Sequence, residues 1–204
     1  MPTEYIQNAQ NISKMYIGGI KNDGSDGEPV GTRLFLPHPE YDNSLKNSIM
    51  LIFLNSTSTS PTQKLNFDAN IPKRGDKVTT IGFGRESIES GKYNGTLRKV
   101  QYSVRNIGWN AINLGRQKRK RFVYVGEPVG KKGICIGDFG GPVINEDGIQ
   151  VAMSLTYSIL GCGSRFLTQD IHPRVSYYKS FMQDNLCKYS TVPPSDCPSE
   201  KKFL

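Results

Sequence analysis

The sequence predicts an all-β protein closed by one short C-terminal helix. Apolar residues gather in short runs rich in Val, Ile, Tyr and Phe, as strands do. The segments between them carry turn chemistry, as in Asn22-Asp23-Gly24-Ser25-Asp26-Gly27, Asn94-Gly95 and Glu146-Asp147-Gly148. Helical spacing appears only near the end, where Val175, Tyr178, Phe181 or Met182, and Leu186 recur every three to four residues.

In chain order, the strands are expected at 15–20, 32–36 and 49–54. The last of these is bounded by Asn47 and Asn55 and reads as buried on both sides. Ser56-Thr57-Ser58-Thr59-Ser60-Pro61-Thr62 reads as a connection, which places a boundary near residue 70. Further strands are expected at 77–82, 97–104, 121–125, 142–144 and 149–154, followed by the helix. Beyond Cys187 the Pro-, Ser- and Lys-rich tail reads as loosely ordered. No internal repeat is present.

Composition narrows the function classes. The 204 residues can bury a sizeable core and carry a formal net charge of +8. No run approaches the ~20 apolar residues that a membrane-spanning helix needs. The first ten residues contain no apolar signal stretch, which by itself reads as cytoplasmic retention. The four cysteines argue the other way, because an even count at short separations suits an oxidising compartment. Cys187 and Cys197 flank Pro193-Pro194 and can close a small loop of their own; four free buried thiols are the alternative. Each bridge would contribute roughly 3–4 kcal/mol through loop entropy. Asn11, Asn55 and Asn94 each open an Asn-x-Ser/Thr triplet compatible with glycosylation in a secreted protein. The expectation is therefore extracellular, with a start that lies upstream of Met1.

One stretch concentrates positive charge: Arg116, Lys118, Arg119, Lys120 and Arg121 fall within six residues. It reads as a solvated loop before a strand, as a patch for sulfated polyanions, or as a site for processing proteases. Polyanion binding of this kind falls steeply with salt. Neither a nucleic-acid recognition module nor an aromatic platform accompanies the charge, which speaks against sequence-specific nucleic-acid binding.

The most informative motif is Cys135-Ile136-Gly137-Asp138-Phe139-Gly140-Gly141-Pro142. It is preceded by His38-Pro39-Glu40-Tyr41, Asn47-Ser48-Ile49 and Gly82-Phe83-Gly84. It is followed by Leu160-Gly161-Cys162-Gly163, Leu167-Thr168 and Arg174-Val175-Ser176-Tyr177-Tyr178. In this order the motifs resemble the landmarks of the trypsin/chymotrypsin-like serine proteases. The resemblance implies a chymotrypsin-like double β-barrel with an incomplete first barrel. Residues 1–70 would form that partial barrel, 71–186 the second barrel and closing helix, and 187–204 the tail of a single domain. An incomplete barrel exposes unpaired edges. The first half is then rearranged, covered by a partner, or part of a longer natural protein.

At the chemistry-bearing positions the chain departs from the family. Phe139 stands where the resemblance places the serine nucleophile, and a benzyl group has no lone pair to attack a carbonyl. Ser48 stands at the aspartate position, and the segment with the catalytic histidine would precede the retained strands. His38 and His172 read as surface or packing residues. The resemblance further implies an oxyanion loop at Gly137, Asp138 and Phe139, and a Cys135–Cys162 bridge beside a neutral pocket lined by Gly133, Ser154 and Leu155. Phe139 is expected to lean into the mouth of that pocket or to fill a collapsed one. Asp138, without the N-terminal amine that pairs with it in the family, would turn outward or find backbone donors, because an unpaired buried carboxylate is costly. No metal or cofactor is implied. The expected function is a non-catalytic homologue that binds a protein partner as decoy, cascade cofactor or enzyme inhibitor. The alternatives are a serine endopeptidase and a non-functional truncated fragment.

Overall fold

The computed structural model describes residues 14–42, 45–87, 91–106, 120–126, 133–155, 162 and 170–198. Contacts divide the chain into two units: 1–19, 26–61 and 178–204 in one, 20–25 and 62–177 in the other.

In the first unit, β1 (Lys14–Ile17), β2 (Glu28–Pro37) and β3 (Met50–Leu54) form an antiparallel sheet in the order β1-β2-β3. The first strand is shorter than expected because Gly18, at φ +79°, turns the chain out of the ladder. The second is longer and carries a register shift between Thr32 and Leu34. Glu28 organises the serine-rich connection. Its carboxylate accepts from the Ser58 hydroxyl at 2.7 Å, the Thr59 N–H at 3.0 Å and the Ser60 N–H at 3.1 Å. These donors, the Ser58 hydroxyl foremost, pull its pKa from 4.5 to about 2.

The helix, α1 (Lys179–Tyr189), follows a 3-10 turn at Ser176–Tyr178. It was expected to close the second barrel, but its described contacts lie in the first unit. Phe181 packs 4.6 Å from the His38 ring, and Tyr189 packs 5.9 Å from Phe53 while its carbonyl accepts from the Arg33 guanidinium. Aromatic area on the β2–β3 face draws the helix there. The expectation of a loosely ordered tail is also corrected for residues 187–198. Cys187 and Cys197 are bridged, with Cα atoms 5.5 Å apart, and both are buried. A ten-residue separation closed by a covalent bond leaves the tail few conformations.

The second unit holds a six-stranded sheet in the order β8-β7-β4-β5-β6-β9. Its strands are β4 (Lys77–Gly82), β5 (Arg98–Val104), β6 (Phe122–Gly126), β7 (Pro142–Asn145), β8 (Gln150–Met153) and β9 (Asp170–Pro173). The final strand, absent from the expected set, is found at Asp170–Pro173, just after the Leu167-Thr168 landmark, which lies outside the described residues. The sheet nearly closes on itself. Ala152 bridges Arg174, and the Val175 N–H donates to the Val151 carbonyl at 3.1 Å. This is the chymotrypsin-like β-barrel fold. Among the described residues no helix is long and apolar enough to cross a membrane.

Period-two alternation fills the barrel. Val78, Tyr102, Val104, Val123, Val125, Val143 and Val151 form one buried cluster. Tyr102 donates to the buried Thr80 hydroxyl at 2.7 Å, and burial raises its pKa. His172, paired across the ladder with Val123, is fully buried and stacks on Tyr102 at 6.4 Å. It is a packing residue, as one of its two expected roles required. Neither ring nitrogen has a hydrogen-bond partner, and desolvation lowers its pKa from 6.5 to about 3.

Two acid-sensitive groups follow, each with a depressed folded-state pKa. Each contributes stability in full above its unfolded pKa and loses it as pH falls through the folded one. For His172 the window runs from 6.5 down to about 3, and for Glu28 from 4.5 down to about 2. Thermal melts across pH 2–8 are expected to fall in both windows. His172→Phe should remove the loss between 6.5 and 4.5, and Glu28→Gln should flatten only the lower part. An unchanged slope between 6.5 and 4.5 in His172→Phe would contradict the burial argument.

Candidate functional site

The Cys135–Pro142 loop is built around one carboxylate. Asp138 accepts from the Gly84 N–H at 2.7 Å through one oxygen and from the Cys135 N–H at 2.9 Å through the other. It thus takes the second arrangement anticipated for it, with backbone donors in place of a cation. Charge-assisted bonds of this kind are about twice as strong as neutral ones. Space for the carboxylate exists only because of glycine. A Cβ on Gly82 would sit 2.0 Å from Asp138 Oδ1, and one on Gly84 2.4 Å from its Cγ.

Neighbouring contacts brace the same loop. The Arg85 N–H donates to the Ile136 carbonyl at 2.9 Å, and the Asn94 amide donates to the Gly84 carbonyl at 2.5 Å. Tyr93 lies against Gly137, where an added Cβ would meet its ring at 2.6 Å, and Arg85 covers that ring at 4.9 Å. Within the loop, Asp138 N–H donates to Cys135 O and Gly141 N–H to Asp138 O. The Gly140 N–H donates to Ser154 O at 2.7 Å. Gly137 and Gly140 adopt φ of +99° and +86°, which residues with a Cβ rarely reach. The loop is therefore pinned from both sides. Phe139 at its tip is 45% exposed, so it does not fill a collapsed pocket.

Gly133 lines a cleft of about 500 Å³ with Gly82, Gly84, Ile134, Asp138 and Arg98, and neither Ser154 nor Leu155 lines it. Ser154 is buried, and its hydroxyl lacks a hydrogen-bond partner. Leu155 packs with Phe122, Tyr124 and Ile171. Cys135 and Cys162 are bridged, with Cα atoms 4.9 Å apart. In the first unit, Ser48 is half-buried beside Asn47, whose φ of +52° and 2.8 Å bond from the Ile49 N–H mark a tight turn. Of the basic run, Arg116, Lys118 and Arg119 lie outside the described residues. Lys120 is exposed, and Arg121 stacks over Tyr177 at 4.6 Å. Asn11 is likewise outside them. Asn55 is exposed, whereas the Asn94 amide already holds Gly84.

Sequence reasoning did not single out Arg85 or Tyr93, and it read Asn94 only as a turn and sequon residue; all three reach the loop from elsewhere in the chain. The signal that could have found them was Gly82-Phe83-Gly84, since paired glycines mark a close approach by another part of the chain.

Comparison with known proteins settles the lineage. The family model described as Trypsin matches residues 6–182. The chain belongs to the trypsin family. It is 28% identical over 169 residues to trypsin-3 of Salmo salar, covering 81% of this chain and 68% of that protein. Against trypsin of Sus scrofa, identity is 25% over 160 residues, covering 77% of this chain and 68% of the relative. Serine protease 1 of Canis lupus familiaris is 26% identical over 160 residues, and 63% of its length is spanned. The solved structure of neuropsin, described as a serine protease expressed in the limbic system of mouse brain, superposes with a TM-score of 0.70. It covers 84% of this chain and 78% of neuropsin at 18% identity, a likeness of fold.

Replacing Asp138 by Asn should destabilise the trypsin-family domain by about 1–3 kcal/mol, because one backbone donor loses its acceptor. In a Gly84→Ala background, where the carboxylate is already displaced, the same change should cost less than half as much. Urea denaturation of the four proteins in that cycle reads both values.

Proposed function

We propose that this chain is a non-catalytic member of the trypsin family that acts by binding a protein partner. The single observation that carries the reading is Phe139. The loop around it keeps its Asp138 bonds and its glycine turns, while the side chain at the nucleophile position is a hydrocarbon. Acyl-enzyme formation requires a lone pair at that position, and Phe139 offers none. Ser48, at the aspartate position, has no charge with which to stabilise an imidazolium. The loop also presents apolar surface suited to a protein: Tyr93, against Gly137, is 51% exposed and Phe139 45%. A decoy, a cascade cofactor and an inhibitor of another enzyme all use such a surface. The two disulfides and the exposed Asn55 support an extracellular, glycosylated protein.

The test is incubation of the purified protein with a fluorophosphonate probe and a panel of peptide substrates. No label and no turnover above buffer are expected. Phe139→Ser should remain unlabelled too, because Ser48 supplies no carboxylate to orient and charge-stabilise a base for the restored hydroxyl. Labelling of the unsubstituted protein would overturn the proposal and favour a serine endopeptidase. For the placement, protein isolated from its source should lose mass on enzymatic deglycosylation, with the modified site at Asn55 rather than Asn94.

A further inference from the structure

The largest unexplained concentration of charge among the described residues is not a run in sequence. Among the described residues, Lys73, Arg74, Arg105 and Arg174 line one open cleft of about 440 Å³ together with Phe122 and Tyr124, and no carboxylate side chain is among its described lining residues. Three backbone devices deliver the four cations. The Lys73–Arg74 turn is clipped to the end of β5 by Gly75 N–H to Val104 O and Val104 N–H to Asp76 O, both 2.9 Å. The nearest acid to it, Asp76, accepts from the Lys73 backbone N–H at 2.7 Å. Arg105 continues from β5, and its own N–H and Nε donate to Tyr124 O at 2.8 Å and Gly126 O at 2.9 Å on β6. Arg174 follows β9, and its Nη1 and Nη2 donate to Ile71 O at 2.8 Å and Pro72 O at 3.2 Å.

Arg174 is held there at a cost. It is only half-exposed, its Nε is buried without a hydrogen-bond partner, and its described partners are neutral carbonyls. Burial accordingly lowers its pKa from 12.5. A cation partly removed from water, next to three others, is stabilised by an anion that enters the cleft.

We propose that this cleft, whose described lining includes neither Lys120 nor Arg121, binds the sulfate groups of a sulfated glycan. Guanidinium forks match the oxygens of a sulfate ester in pairs. The volume lies within the ~300–1,000 Å³ range of small-ligand clefts, and the aromatic floor and the Asn106 amide suit a sugar ring and its hydroxyls. Two disulfides place the protein where chain polyanions are sulfated glycans rather than nucleic acids. The inference rests on the reading of this chain as a binding protein and names one ligand class for it.

The experiment is calorimetric titration of the full chain with a heparin hexasaccharide at low and high salt. Lys73→Ala/Arg74→Ala is compared with Arg116→Ala/Lys118→Ala. Both pairs remove two positive charges, and Lys73 and Arg74 are exposed, so folding is spared. The cleft pair should weaken binding about tenfold and flatten the salt dependence, since two exposed charge contacts are lost. The run pair should change affinity by less than about twofold. Equal losses in the two pairs, or a larger loss in the run, would overturn the cleft and assign binding to net charge or to 116–121. No titration by the unsubstituted protein would overturn glycan recognition altogether. The proposal of a non-catalytic binding protein would then stand or fall on the fluorophosphonate result alone.

Discussion

The carboxylate of Asp138 ties together two stretches of chain 54 residues apart, and the shape of the candidate site depends on that tie. With one oxygen on the Gly84 N–H and the other on the Cys135 N–H, the side chain acts as a bridge between the end of β4 and the loop before β7. Glycine at 82 and 84 is then a steric requirement, because the carboxylate occupies the space where each Cβ would be. The loop's geometry depends on Asp138 rather than on the side chain that follows it.

A second constraint runs through the barrel. Its interior is valine-rich and closes through the β8–β9 contact, yet it encloses Tyr102, Thr80 and His172. Tyr102 and Thr80 satisfy each other, whereas His172 contributes an aromatic face and stays neutral. The same physics operates at the rim with opposite sign. Arg174 keeps its charge while partly desolvated, and the carbonyls that hold it offset only part of that cost. Buried neutral nitrogen inside and half-buried cation outside are two outcomes of one competition between desolvation and partners.

Much of the fold was legible in the sequence because alternation and turn residues are local signals. The strands at 77–82, 142–144 and 149–154 match β4, β7 and β8 closely, since each is flanked by glycine or an Asn-Asp turn. Boundaries moved where a single backbone angle decided them, as at Gly18. The helix was read correctly as a helix, but its partner was not. Spacing along a chain reports which face is apolar and carries no information about which surface that face will meet. The order of the tail was hidden for a related reason: a Pro- and Ser-rich composition signals disorder unless a covalent tie such as Cys187–Cys197 overrides it. At the site, the loop motif was visible, while the braces from Arg85, Tyr93 and Asn94 were not, because turn and sequon signals at Asn94 and the glycines before Arg85 do not say which part of the chain they meet.

What the sequence determined by itself was identity of side chain at each position of an ordered set of motifs. That suffices for the family, for the hydrocarbon at 139 and for the neutral residue at 48, because chemistry is a property of the residue. Only the tertiary structure decided which groups share a space. It placed Asp138 over two glycines. It also gathered cations from positions 73, 74, 105 and 174 into one cleft while the conspicuous run at 116–121 drew the eye in sequence. The reason is that charge and packing act through distance in space. A β-barrel brings its strand ends together without regard to their order along the chain.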